Sequence, residues 1–175
     1  MLLAAYRSLL ARHPDVDLLI APRYIERAGR VAELAQQAGF DVAYRSQGAG
    51  SFGAVMILDR IGELMSAYAL ADVVFVGGSF IPRGGQNILE PAACGKPVLF
   101  GPYMENFVDE VALLLGRGGL QVDDQEALLE TVDQLLAREQ SCDELGRMAQ
   151  ASVAARRGAG QRCAEAILSL LEPAP

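Results

Sequence analysis

The sequence predicts an α/β fold, a doubly wound, Rossmann-like parallel sheet with helices on both faces. Three observations carry this. Short apolar runs rich in β-branched residues alternate with longer stretches of helical apolar spacing, the pattern of successive βαβ units. The runs Val73-Val74-Phe75-Val76 and Pro97-Val98-Leu99-Phe100 are continuously apolar, as strands buried on both faces must be. The first of them ends in Gly77-Gly78-Ser79 and is followed by a second glycine pair, Gly84-Gly85. Open parallel sheets place their ligand-binding loops at such strand ends.

Taken in order, residues 2–13 have helical spacing, and Pro14 stops them. Residues 16–21 form a strand closed by Pro22-Arg23, and 24–38 an amphipathic helix ended by Gly39. Residues 40–45 alternate as a strand, 47–53 make a glycine-rich turn, and 55–58 another strand. A short helix over 61–71 leads into the central run at Val73. In the loop beyond it, Pro91 fits the first position of a helix, where a missing N–H costs nothing. Glu90 is then expected at the cap, outside the first turn, because a residue before proline is pushed from the helical region. After Gly101 come a helix near 105–115, a strand at 120–122, and helices at 124–138, 142–156 and 164–171. Asp123 and Asp124 suit the N-terminus of the first of those three. Residues 172–175, with Pro173 and Pro175, read as a frayed tail, and the whole of 1–175 as a single domain. The chain opens on a helix with no strand before it, which suggests a piece cut from a longer polypeptide.

Composition excludes several classes. The chain has 175 residues, half of them apolar, and a formal charge of −7. Such acidity argues against a nucleic-acid face or a hold on anionic lipid. No apolar run reaches the ~18 residues of a membrane span. Cys94, Cys142 and Cys163 include no Cys-x-x-Cys pair and read as small core hydrophobes in a reduced compartment. His13 is the single histidine, so no histidine-based metal site and no Ser-His-Asp triad is expected.

The candidate binding residues lie on strand ends. Glycines 77, 78, 84 and 85, with Ser79, let backbone approach a ligand without a Cβ in the way. Asn87 and Glu90 also have the spacing of a capping box, but a helix capped at Asn87 would need a donor from Pro91, which has none. The ligand-binding reading is therefore preferred there. Arg23 could clamp a phosphate or carboxylate, or be simply solvated or paired with a neighbouring helix. Glu63, in the Gly62-Glu63-Leu64 helix start, is ordinary there and gains interest only because three strand ends converge on one crevice. The adjacent carboxylates Asp109-Glu110 and Asp123-Asp124 do not face each other on a helix and are assigned no acid–base work. A cleft is expected at the strand ends, lined by Arg23, residues 62–64, 77–79 and 84–90.

These residues resemble a known family. The run Gly62-Glu63-Leu64-Met65, Tyr68-Ala69, Ala71-Asp72-Val73, Phe75-Val76-Gly77-Gly78-Ser79, Gly84-Gly85, Asn87, Leu89-Glu90-Pro91-Ala92-Ala93, Gly95-Lys96-Pro97-Val98-Leu99, Gly101-Pro102 and Asn106-Phe107 is similar to the Kdo (3-deoxy-D-manno-octulosonic acid) transferases. Pro22-Arg23 with Glu26-Arg27 resembles that family's Pro-Arg-His-Pro-Glu-Arg segment. The resemblance implies the GT-B architecture, this chain being the carboxyl-terminal, donor-binding domain. It implies transfer of Kdo from CMP-Kdo to the lipid A precursor in lipopolysaccharide synthesis, at the cytoplasmic face of the bacterial inner membrane. CMP would lie against Pro22 and Arg23; Gly62, Glu63 and Leu64; and Asn87, Ile88, Leu89 and Glu90. The base would be a glutamate of the amino-terminal domain, which would also take the acceptor, so no residue here is expected to be catalytic. No metal or cofactor is implied, since one phosphate can be held by N–H groups and an arginine.

Tyr24 and Ile25 depart from the family's His-Pro, and Gln86 and Tyr103 stand where histidines are common. Two other readings stay open: a GT-B transferase or epimerase domain using a UDP- or ADP-sugar, and a non-catalytic nucleotide-binding module.

Overall fold

The structure, a computed structural model, describes residues 2–48, 55–156 and Ile167. The expected helix at 164–171 (Ile167 apart), the tail, Cys163 and part of the turn at 47–53 lie outside the described residues.

The elements alternate as expected. Helix α1 (Leu2–Leu10) leads to strand β1 (Leu18–Ile20), and a 3₁₀ turn (Ile25–Arg27) to helix α2 (Ala28–Gln37). Strand β2 (Val42–Tyr44) ends in a second 3₁₀ turn (Arg45–Gln47), and β3 (Val55–Ile57) leads through a turn to α3 (Leu64–Leu70). Then come β4 (Val74–Val76), α4 (Leu89–Ala93), β5 (Val98–Phe100), a 3₁₀ turn (Glu105–Phe107) and α5 (Val108–Leu114). Strand β6 (Gly119–Gln121), α6 (Gln125–Leu136) and α7 (Glu139–Ala155) follow. Asp124 caps α6 as expected, its side chain accepting the Ala127 N–H at 2.9 Å.

Every strand pairing is parallel, but the strands form two sheets of three, ordered β1-β3-β2 and β4-β5-β6. In the second sheet, alternate residues serve opposite faces, as the period of a strand requires. Val74, Val76, Val98 and Phe100 pack with Ile88, Leu113 and Leu114 on one side. Phe75, Leu99 and Leu120 pack with Val122, Leu128, Leu135 and Cys142 on the other. This explains why those strands read as unbroken apolar runs. The first sheet is covered on one face by Tyr6 of α1 and Ala28, Ala32 and Ala35 of α2, against Val55 and Ile57. On its other face Leu19 remains 43% exposed. Helix α1 ties the halves together: it packs on α6, and its last turn leads to Arg12 and His13, both bonded to Asp133 of α6 at 2.7 and 2.8 Å.

Cys142 is buried and its Sγ lies 3.4 Å from the Asp72 carbonyl; burial pushes its thiol pKa up, as suits a core cysteine. Close backbone approach fixes the packing of α7, where a Cβ on Gly146 would collide with the Gly95 carbonyl.

Candidate functional site

Parallel pairing puts the ends of β1, β2 and β3 on one edge of the first sheet, so the segments after them emerge side by side. Pro22 and Arg23 follow β1 directly. Arg23 is exposed, its guanidinium 5.7 Å over the Tyr24 ring, with Arg27 on the same ring at 5.6 Å. Among the described residues it has no carboxylate partner. The helix-pairing alternative is not seen among them; the guanidinium instead lies over an aromatic face.

Beyond β3 the chain turns at Gly62, with φ of +92° and open space where a Cβ would stand. The positive φ demands glycine, and the open side leaves the backbone approachable. Glu63 is at the cap of α3, and its carboxylate is taken: Arg45 Nε donates to it at 2.8 Å and Arg60 Nη1 lies 3.6 Å away. Beside this pairing, Asp59 accepts the Ser46 N–H at 2.8 Å and the Ser46 hydroxyl at 2.5 Å. Those bonds, the hydroxyl's above all, lower the Asp59 pKa from its ordinary value. What residues 62–64 offer a ligand is therefore main chain rather than the Glu63 side chain.

The glycine loop after β4 is built from the inside. Ser79 is fully buried; its hydroxyl donates to the Val76 carbonyl at 2.6 Å and accepts the Gly101 N–H at 2.8 Å. It staples the ends of β4 and β5. Gly84 and Gly85 have φ of +78° and +74° and are buried, a Cβ there colliding with Asn106 and Met104 respectively. Close packing against the chain itself thus accounts for the second glycine pair. Gly77 is exposed, with nothing within 4 Å of a notional Cβ, so it remains open to a ligand.

The start of α4 corrects the sequence expectation. The helix begins at Leu89 with Ile88 as its cap, so Glu90 lies inside the first turn and Pro91 is its third residue. Any position in a first turn tolerates a missing N–H, and the restriction before proline is a bias rather than a bar. The Leu89 N–H donates to Asn87 Oδ1 at 2.9 Å, and Asn87 Nδ2 donates to Glu90 Oε1 at 3.1 Å. Asn87 does local capping work after all, while its amide also aims the Glu90 carboxylate. Ile88 is wholly buried and Leu89 packs on the core, so only main chain is available there. At five residues, α4 carries too little aligned dipole for a helix-end argument.

Helix α3 joins the two halves of the site. It starts at the Gly62 turn and packs along α4, with Cys94 Sγ 4.0 Å from the Met65 carbonyl. Tyr68, on the same helix, has its pKa pushed up to about 12, by burial first and then by the charges of Glu90 and Cys94. Helix α3 thus runs from the 62–64 turn to α4, with Met65 beside Cys94 and Tyr68 in the field of Glu90, and Arg23 stands on the same sheet edge as 62–64. Arg45 and Arg60 are not part of the sequence reading of this region, and Tyr68 enters it only within the family run. Arg60, three residues before Glu63, was the one legible signal.

A guanidinium with no carboxylate partner among the described residues, an open glycine turn and an aimed carboxylate make a set suited to holding a polar, anionic small molecule. Among the described residues, no group of three or more acids, histidines or cysteines is placed to hold a metal ion.

No protein-family model matches the chain. It is 36% identical to the 3-deoxy-D-manno-octulosonic acid transferase of Haemophilus influenzae over 177 residues, which takes in 99% of this chain and 40% of that protein. Against the enzyme of the same name from Bordetella pertussis it is 36% identical over 169 residues, 94% of this chain and again 40% of the relative. The chain therefore spans about two fifths of the length of these relatives. Among solved structures, the C-terminal CMP-Kdo binding domain of WaaA from Acinetobacter baumannii superposes with a TM-score of 0.79 at 30% identity, over 86% of this chain and 80% of that one. With that much of a solved domain matched at that identity, the chain belongs to the 3-deoxy-D-manno-octulosonic acid transferase family.

Proposed function

We propose that this chain is the donor-binding part of a glycosyltransferase that moves Kdo from CMP-Kdo to the lipid A precursor. The observation that supports it most is the likeness, in fold and sequence, to the CMP-Kdo binding domain of WaaA over four fifths of that domain. In this reading Arg23, without a carboxylate partner among the described residues, takes the phosphate of CMP. The Glu90 carboxylate, aimed by Asn87, accepts from the ribose hydroxyls, as acids do in other nucleotide folds. The open backbone at Gly62 and the main chain of Asn87, Ile88, Leu89 and Glu90 complete the seat. In this reading residues 22–23, 62–64, 77–79 and 84–90, all of a single domain, border one ligand seat at the carboxyl ends of the strands.

The chemistry required of these groups is modest. As the sugar–phosphate bond breaks, charge collects on the departing CMP phosphate, and a positioned guanidinium with N–H groups stabilises it. Acceptor and base are supplied by the part of the protein that the relatives possess beyond this length, and the full enzyme works at the cytoplasmic face of the inner membrane. No helix among the described residues is long and apolar enough to cross a membrane.

Titration of CMP and cytidine into the protein and two variants tests the assignment. Losing a charged hydrogen-bond partner costs about 1.5–3 kcal/mol, roughly ten- to hundredfold in affinity. Arg23→Ala should weaken CMP by that factor and leave cytidine almost untouched, because cytidine has no phosphate. Glu90→Gln should weaken both alike, since both keep the ribose. Equal losses on Arg23→Ala would make the arginine structural. Tighter binding of UDP or ADP than of CMP would favour the other sugar-nucleotide reading.

A further inference from the structure

We infer that Arg45 and Arg60 are positioning residues for the nucleotide seat: through the Glu63 carboxylate they hold the Gly62 turn, and that turn carries the nucleoside end of the ligand. The inference rests on the donor-binding reading above and assigns work to two arginines which that reading leaves out.

The geometry is that of a clasp. Arg45 belongs to the 3₁₀ turn after β2, and Arg60 and Glu63 to the segment between β3 and α3. Glu63 receives Arg45 Nε at 2.8 Å and Arg60 Nη1 at 3.6 Å, one on each carboxylate oxygen, with its side chain only 29% exposed. A second tie runs beside it. Asp59 accepts from both the N–H and the hydroxyl of Ser46, and Arg60 Nη2 donates back to the Ser46 carbonyl at 3.5 Å. The neighbouring strand ends are thus crossed by ties on both sides of Gly62. A turn with φ of +92° and no Cβ has wide freedom of its own, so something outside it must fix its course. The clasp does so while leaving the glycine's open side clear.

Charge decides which end of a nucleotide this turn suits. Two arginines and two carboxylates, Asp59 and Glu63, cancel there, so the turn offers no net charge to a phosphate. Arg23, on the same sheet edge, has no carboxylate partner among the described residues and offers a full one. The phosphate therefore goes to Arg23 and the neutral nucleoside to the turn.

The test is calorimetric titration of the protein with CMP and with cytidine, for wild type, Arg45→Ala, Arg60→Ala, Glu63→Gln and the double variant Arg45→Ala/Glu63→Gln. Each arginine variant should weaken CMP and cytidine equally, by about two- to fivefold, the scale of a partly exposed ion pair. Arg45→Ala should cost nothing more once Glu63→Gln is in place, because the arginine acts through that carboxylate. Arg45→Lys should recover part of the loss, which a purely packing role would not predict. A loss confined to CMP would overturn the inference by making these arginines direct phosphate contacts. An undiminished Arg45→Ala effect in the Glu63→Gln background, or no effect on either ligand, would also overturn it. If the wild type binds CMP, those failures leave the donor-binding reading standing. If the wild type binds neither ligand, that reading falls and takes the clasp's role with it.

Discussion

Replacing Ser79 by alanine separates the scaffold of the glycine loop from its ligand-facing surface. The hydroxyl is wholly buried, donates to Val76 at 2.6 Å and accepts from Gly101 at 2.8 Å. Both partners are main-chain groups of buried residues, and alanine leaves each without this bond. Stranding a buried polar group costs about 1–3 kcal/mol. For a chain of this size each kcal/mol lowers Tm by about 2–4 °C. Ser79→Ala should therefore melt at least about 2 °C below wild type, and a cost at the top of the range would exceed 6 °C. Urea unfolding should show a lower midpoint at unchanged slope, because the surface exposed on unfolding is the same. CMP affinity, measured well below the transition, should change less than about twofold, since the hydroxyl is wholly buried and its single proton is already given to Val76. The opposite pair of results, unchanged Tm with a tenfold loss of affinity, would refute this account and place the hydroxyl at the ligand.

Two further outcomes follow from the same structure. Gly101→Ala would push a Cβ into the Ser79 carbonyl, and backbone cannot swing aside as a side chain can; the variant should lose at least about 2 kcal/mol in chemical denaturation. At the joint between α1 and α6, bonds from His13 and then Arg12 hold the Asp133 pKa below its ordinary 3.8. A depressed folded-state pKa contributes stability that is present above the unfolded value and is lost as pH falls through the folded one. The Tm gap between wild type and Asp133→Asn should thus be full at neutral pH and shrink as pH drops below about 4. A gap that stays constant down to pH 2 would show that the carboxylate's charge is not what matters.

The residues by themselves determined the class of fold, because periodicity and burial are local matters. Val74, Val76 and Val98, Phe100 serve one face while Phe75 and Leu99 serve the other, so both kinds of position had to be apolar, and the strands were legible as buried. The Asp124 cap was legible for the same reason: its partner, Ala127, is three residues away. The family likeness was also carried by the sequence, through residues 62–64, 77–79 and 87–90. Tertiary structure decided what those residues do. Whether Pro91 opened its helix or stood inside the first turn depended on Asn87 folding back to Leu89, a choice that the bias before proline alone pointed the wrong way. That Gly84 and Gly85 yield to Asn106 and Met104 depends on chain about twenty residues downstream. The occupation of Glu63 by Arg45 requires two strands to lie side by side, and no local spacing records that. Pairing across sequence distance is set by the global packing of strands and helices, so it is there that the division between two three-stranded sheets, the buried staple at Ser79 and the absence of an acid partner for Arg23 among the described residues were settled.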